Sequence, residues 1–258
     1  MGILSIIIPA TLFWAGYHYY KDRYQPEPVL SLFFSYGFGI AAGFLSIHFY
    51  IALEFIGLRY NAFELAHTNM LGLFFYAVFG IGLNEELAKF LLFWLIVTHS
   101  RHFNELIDGI IYASFVALGF ATYENIYYLQ FLEGYEAFAR AIGSPLVHIM
   151  FASIWGYAYS WAYIHNHSLW PTTVSGLALS ALAHGFYDFG VIGLSEWIHV
   201  VPPAIILVIW VWRLLLIEKL HQKYRQISFI ESSVPIKLSK EYYQQTSFTE
   251  KNIPIKKR

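Results

Sequence analysis

The chain has 258 residues, of which 57% are hydrophobic, 20% are aromatic and only 13% are charged. Soluble domains carry about 25% charged residues, so the composition excludes an ordinary soluble protein and predicts an integral membrane protein. The sequence has no cysteine, which excludes disulfides, thiolate nucleophiles and sulfur ligands for a metal.

Apolar runs of about 20 residues predict membrane-spanning helices, because a helix of that length crosses the hydrocarbon core. The alternating pattern typical of a transmembrane barrel is not found in the sequence. We therefore predict an all-α fold, a polytopic transmembrane helical bundle of about seven spans, with about six to eight as the range. The spans are placed at residues 3–20, 29–55, 70–97, 106–131, 144–164, 172–194 and 201–217.

Charge divides the chain into two parts. Residues 1–217 carry 7 Lys/Arg and 13 Asp/Glu, whereas residues 218–258 carry 9 and 4. Basic segments beside a membrane favour the anionic cytoplasmic leaflet. We therefore predict a transmembrane domain over residues 1–217 and a basic, flexible cytoplasmic tail over residues 218–258.

Ionisable side chains interrupt the third apolar run. Glu85, Glu86 and Lys89 lie on one predicted helix, and Lys89 follows the two glutamates by four and three positions. That spacing places the lysine on the same helix face as both carboxylates. One lysine cannot neutralise two carboxylates, so one glutamate is left without a cation and suits a general base. Because charge at bilayer depth is costly, the group marks a functional site.

Three further apolar runs carry polar side chains that lipid cannot satisfy. These are Glu124 and Asn125 in the fourth run, His148 in the fifth, and His184 with Asp188 in the sixth. A spacing of four residues directs His184 and Asp188 to one helix face, where both can reach one ion or one water. Buried polar groups need partners within the bundle, so we predict that the four helices turn these side chains toward one shared polar cavity.

Three of these blocks resemble the signature of a known family. Residues 85–89 read EExxK, residues 120–125 read FxxxEN and residues 184–188 read HxxxD, which is similar in order and spacing to the PrsW family of intramembrane proteases. A more distant resemblance is to the CAAX prenyl endopeptidases, whose blocks read EExxxR, FxxxH and HxxxN. Lys89 and Asp188 depart from that wider pattern, as does Glu124.

The resemblance implies that the chain is an enzyme, with residues 1–217 as its protease domain. The implied reaction is hydrolysis of a peptide bond in a membrane-anchored protein, and the implied substrates are similar to anti-sigma factors. The implied location is the inner (plasma) membrane of a bacterial cell, with the carboxyl-terminal tail in the cytoplasm. The expected surroundings are a lipid bilayer, and no nucleic-acid partner is expected.

The residues allow two forms of this chemistry, and in both a water loses its proton to Glu85 or Glu86. In the first form Zn²⁺ stabilises the oxyanion, because zinc suits mixed oxygen and nitrogen ligands with one position open to water. The zinc ligands are then drawn from Glu124, His148, His184 and Asp188. The HExxH block of the zincins is absent from the sequence.

In the second form the site holds no metal, and His184, oriented by Asp188, donates a hydrogen bond to the oxyanion together with Asn125. A different function fits the same groups, since intramembrane carboxylates and histidines also form proton and ion pathways. Transporters typically show an internal repeat, and this sequence shows none. A proton- or ion-coupled transporter is therefore the alternative to the peptidase.

Overall fold

The computed structural model describes residues 2–233, with side chains described through Gln226. Within that range the chain is helical and contains no β-strand, so the all-α prediction is confirmed. The helices are α1 (Leu4–Lys21), α2 (Val29–Phe55), α3 (Ala62–Thr68), α4 (Met70–Phe75), α5 (Leu83–Val97), α6 (Leu106–Tyr128), α7 (Gly134–Ile164), α8 (Leu169–Gly193) and α9 (Val201–Ser233). A π-helical segment, Tyr76–Gly82, joins α4 to α5, and a 3₁₀ turn, Ser195–Trp197, precedes α9.

Helices α2, α6, α7 and α9 are long and apolar enough to cross a membrane, judged by length and composition. Helices α1 and α8, and the run from α4 to α5, also lie where spans are predicted. Large apolar side chains such as Leu12, Phe33 and Val208 are exposed, as expected for a surface that faces lipid. A helical membrane bundle fits these observations, and the number of about seven spans stays a prediction.

Two predicted helix boundaries differ from the structure. The fifth span is predicted to start at Ser144, but α7 begins at Gly134 and contains the buried Pro145 in its interior. The tail is predicted from residue 218, but α9 continues to Ser233. On this extension Arg225 Nη2 lies 2.6 Å from Glu218 Oε1. This pair joins side chains about two turns apart on a helix that continues beyond the apolar run.

The chain divides into a first compact unit that ends at Leu214 and a second unit that begins at Leu215. Every predicted site residue belongs to the first unit. The predicted division between a domain and a tail at residue 217 stays a prediction. Residues 234–258 of the predicted tail lie outside the described residues.

Helix α6 forms the core of the first unit. In its apolar stretch of 18 residues, 89% of the residues are buried. The helix packs against both α2 and α7. Two glycines bring the backbones together: a Cβ at Gly119 would clash with the carbonyl of Tyr36 on α2, and one at Gly109 with that of Gly156 on α7. Such small residues at helix contacts are typical of membrane bundles. These contacts hold α6, the helix on which Glu124 lies, in the interior of the unit.

Candidate active site

Seven of the eight predicted site residues lie around one another in the first unit, and we call these seven the site cluster. They are Glu85, Glu86 and Lys89 from α5, Glu124 from α6, His148 from α7, and His184 and Asp188 from α8. The eighth, Asn125, is buried in α6, but its Oδ1 has no hydrogen-bond partner in the described structure. The four helices thus bring the predicted side chains together, while the chemical role of each stays a prediction.

Glu86 is the most completely bonded carboxylate of the site cluster. Its Oε1 accepts hydrogen bonds from Lys89 Nζ at 2.6 Å and from His184 Nδ1 at 2.9 Å. Its Oε2 accepts from Trp155 Nε1 at 2.8 Å and from Ser180 Oγ at 3.2 Å. Because Glu86 is fully buried, these donors take the place of water. Both oxygens of this carboxylate are therefore occupied by protein donors.

The partners of His148 determine which ring nitrogen carries the hydrogen. Nδ1 lies 3.0 Å from Lys89 Nζ, and an ammonium group can only donate. Nδ1 is therefore the acceptor, and Nε2 carries the hydrogen that is donated to Glu124 Oε2 at 2.9 Å. A carboxylate behind an imidazole ring is the arrangement that orients histidine ligands in metal sites.

His184 is held in the opposite tautomer. Its Nδ1 donates to Glu86 Oε1, because an ionised carboxylate only accepts. Nε2 is the ring nitrogen that offers a lone pair when the ring is neutral, and it lies 3.7 Å from Glu85 Oε2 and 3.5 Å from Asp188 Oδ2. Glu86 therefore orients the ring of His184, as Glu124 orients the ring of His148.

Glu85 completes the group that these two histidines face. Its Oε1 accepts a hydrogen bond from Tyr50 OH at 3.3 Å, whereas its buried Oε2 has no hydrogen-bond partner among the described side chains. That Oε2 lies 3.7 Å from His184 Nε2 and 4.0 Å from His148 Nδ1. One ligand atom from each residue lies within 4.8 Å of the other two. Two ring nitrogens and one carboxylate oxygen thus lie close together, and two histidines with one carboxylate form a common zinc donor set.

The charge of the site also favours a cation. The site cluster has four carboxylates, and the permanent cations in contact with them are Lys89 and Arg140. Arg140 Nη2 lies 3.6 Å from Glu124 Oε2, and its guanidinium stacks 3.9 Å from the centre of the Tyr128 ring. With both histidines neutral, a divalent ion would balance the two carboxylates that these cations leave over.

This grouping differs from the predicted ligand set of Glu124, His148, His184 and Asp188. The two histidines are shared, but Glu85 joins them in place of the other two carboxylates. Glu124 reaches His148 at Nε2, on the opposite side of the ring from the Nδ1 that lies near Glu85. Asp188 Oδ2 lies beside His184 and has no hydrogen-bond partner in the described part of the chain.

Three residues that bond the glutamates are not recognisable as site residues in the sequence: Tyr50 on α2, Trp155 on α7 and Ser180 on α8. Aromatic and hydroxyl side chains are common on membrane helices, so the residue types give no signal. Spacing gives a weak one, since Trp155 follows His148 by about two helical turns and Ser180 precedes His184 by about one.

Comparison with known proteins identifies the family. Residues 25–217 match the family described as PrsW family intramembrane metalloprotease. Protease PrsW of Bacillus subtilis is 32% identical over 215 residues, which cover 81% of this chain and 91% of the relative. Protease PrsW of Oceanobacillus iheyensis is 30% identical over 224 residues, which cover 86% and 97%, and that of Clostridioides difficile is 30% identical over 235 residues, which cover 89% and 93%. No solved structure matches the chain.

The matched region runs from just before α2 into α9 and includes every residue of the site cluster. The relatives are named as proteases, which favours the peptidase over the transporter. The predicted resemblance is therefore confirmed: the chain belongs to the PrsW family of intramembrane metalloproteases, and it is a peptidase embedded in a membrane.

Proposed function

We propose that this peptidase cleaves a membrane-anchored protein, with Glu85, His148 and His184 at the centre of its active site. The observation that carries the proposal is the buried Glu85 Oε2, which faces two imidazole nitrogens and has no hydrogen-bond partner among the described residues. Lys89 Nζ lies 3.9 Å from this oxygen, beyond hydrogen-bond distance, and a buried carboxylate oxygen without a hydrogen bond costs free energy. The site is therefore built for a group that completes it, either an ion with its water or the attacking water alone.

The donors fit Zn²⁺, which Glu85, His148 and His184 would hold. Bound there, the ion would act as a Lewis acid on the scissile carbonyl and lower the pKa of water. Lys89 Nζ lies 3.0 Å from the same Nδ1 of His148. Holding the ion therefore requires Lys89 to give up this contact and to keep its hydrogen bond of 2.6 Å with Glu86.

The remaining carboxylates divide into two roles. Asp188 Oδ2 is free of hydrogen bonds in the described structure and lies 3.5 Å from His184 Nε2. We propose that this oxygen takes the proton of the attacking water and then delivers it to the leaving amine. Glu86 and Glu124 each hold the N–H of one histidine, and they thereby keep the unprotonated nitrogens directed at Glu85.

The proposed substrate class is that of membrane-anchored anti-sigma factors, as the family resemblance implies. The proposed location is the plasma membrane of a bacterium, with the carboxyl terminus in the cytoplasm. The excess of basic residues after residue 217 supports this orientation, because basic segments favour the cytoplasmic side.

Two variants separate the proposed roles. Glu85→Gln and Asp188→Asn remove the ionised oxygens at nearly unchanged size, and Glu196→Gln in the exposed 3₁₀ turn is the matched control. Each protein is produced with a doubly tagged, single-span anti-sigma factor in a bacterial host without a homologue. Cleavage is followed by immunoblot, and the metal content of the purified proteins by mass spectrometry.

We expect both site variants to lose cleavage and only Glu85→Gln to lose the metal, since Asp188 is not placed as a ligand. The Glu196→Gln control keeps both. Normal cleavage by Glu85→Gln overturns the proposal. If thorough chelation leaves the unmodified protein active while Glu85→Gln remains inactive, the metal-free form is correct and Glu85 itself takes the proton of the water.

A further inference from the structure

Helices α2 and α5 separate beside the site cluster. Two hydrogen bonds tie them together: Ser46 Oγ lies 3.1 Å from Asn84 Oδ1, and Tyr50 OH lies 3.3 Å from Glu85 Oε1. Helix α2 packs closely along α5 but hardly contacts the π-helical segment Tyr76–Gly82 that precedes it. A wedge therefore opens between the end of α2 and this segment, and its narrow end is the Tyr50–Glu85 pair.

The wedge contains a cavity of about 380 Å³, which lies within the range of about 300–1,000 Å³ that is usual for ligand sites. Its walls include Leu53 on α2, Leu58 and Tyr60 after α2, Leu65 on α3, and Tyr76 and Phe79 on the π-helical segment. Among the described residues, no carboxylate, lysine or arginine lines the cavity. Leu53 follows Tyr50 by about one helical turn, so the two residues are about 4.5 Å apart along the axis of α2.

The π-helical segment shapes the inner wall. The ring of Tyr76 lies against Gly80, where a Cβ would come within 2.5 Å of the ring, and it packs edge-on against Tyr60 with 5.6 Å between ring centres. Phe75 and Phe79 stack on each other at 6.3 Å and remain 51% and 58% exposed. Aromatic side chains therefore form an apolar path from the outer surface of the bundle to the cavity, along a helix type that often marks functional sites.

We propose that this wedge is the entrance for the substrate, and that the cavity binds apolar side chains of the substrate's membrane segment next to the cleaved bond. The inference rests on the proposed cleavage of membrane-anchored proteins. The position beside Glu85 identifies the occupant: Leu53 of the cavity lining lies one turn of α2 beyond Tyr50, whose hydroxyl bonds this carboxylate. The uncharged lining selects an apolar segment, since a buried charge would have no partner there.

The absence of cysteine from the chain makes a clean test possible. In the variant Leu53→Cys with Phe79→Cys, a bis-maleimide linker with an internal disulfide ties the two walls of the wedge together. The control pair is Ile8→Cys with Leu12→Cys, two exposed positions one turn apart on α1. Cleavage of the tagged anti-sigma factor is measured before linking, after linking, and after reduction of the linker.

We expect linking to slow cleavage by the wedge variant at least about tenfold, because access is blocked. Reduction restores cleavage, and the control pair is unaffected throughout. The metal content stays unchanged, which separates blocked access from damage to the site. Undiminished cleavage with the wedge linked overturns the inference. If linking displaces a co-purified lipid and cleavage is still undiminished, the cavity binds lipid and the inference is likewise overturned.

A second variant decides the question if the two cysteines alone inactivate the protein. Leu58→Trp fills the cavity, and Leu12→Trp on the exposed face of α1 is its control. The filled variant should cleave at least about tenfold more slowly with normal metal content, and equal rates for both variants overturn the inference. Binding of the tagged substrate to the Glu85→Gln protein, with and without Leu58→Trp, tests the wedge even if the proposed cleavage fails.

Discussion

Replacing Trp155 by phenylalanine removes one hydrogen-bond donor from Glu86. The indole donates to Oε2 at 2.8 Å, and both residues are fully buried, so water does not replace the lost donor. A hydrogen bond to a charged group contributes about 1.5–3 kcal/mol. The smaller ring also leaves space beside Phe90 and Phe93, which costs about 1 kcal/mol more. We expect the free energy of unfolding to fall by about 3 kcal/mol.

Thermal unfolding of the purified protein measures this loss. For a chain of this size about 1 kcal/mol corresponds to about 2–4 °C, so the midpoint should fall by about 6–12 °C. Cleavage should fall about 10- to 100-fold, because Glu86 then holds His184 less firmly. Trp94→Phe on α5 is the control, since its indole makes no hydrogen bond in the described structure. Equal midpoints and equal cleavage for the two variants would refute the reasoning.

Three further predictions concern packing, protonation and metal affinity. Gly119→Ala should destabilise the protein by about 1–3 kcal/mol through its clash with α2, whereas Gly37→Ala, which meets open space, should not lower the unfolding midpoint. Burial raises the pKa of Asp22, in the loop after α1, to about 7. Its stabilising contribution is therefore complete below about pH 4 and is lost as the pH rises through about 7. The unfolding midpoint should fall between about pH 4 and pH 7, and less so in Asp22→Asn; an identical fall in the variant would contradict the assignment. Glu124→Gln should lower metal affinity about 10- to 100-fold in a chelator competition, because His148 loses its orienting carboxylate, and an unchanged affinity would remove that role.

The meeting of four helices at one place is predictable from the sequence, because lipid offers no partner to their polar side chains. His184 and Asp188 show why spacing suffices in one case: residues four apart share a helix face, and their nearest atoms are 3.5 Å apart. Spacing does not suffice for Glu85 and Glu86, which are adjacent and chemically identical. Their donors distinguish them, and most of these donors come from distant parts of the sequence on α2, α7 and α8.

Helix ends and helix type are less predictable than the position of apolar runs. Pro145 removes a backbone hydrogen bond, yet α7 continues through it from Gly134, because α7 is held by close packing against α6. Residues 70–97 form one apolar run in the sequence, but the structure places the π-helical Tyr76–Gly82 within it. Hydropathy depends on composition and is insensitive to the extra residue that widens a π-helical turn.

Backbone contact at Gly109 and Gly119 prevents α6 from sliding or rotating against α2 and α7, since close-packed interfaces do not deform continuously. Breathing motions of the fold are therefore confined to parts without such contacts, above all α3, which has no buried residue. An inhibitor that stiffens this short helix would slow turnover without approaching the buried ionised groups. It would have a more accessible target than a chelating drug, which must reach the interior of the bundle.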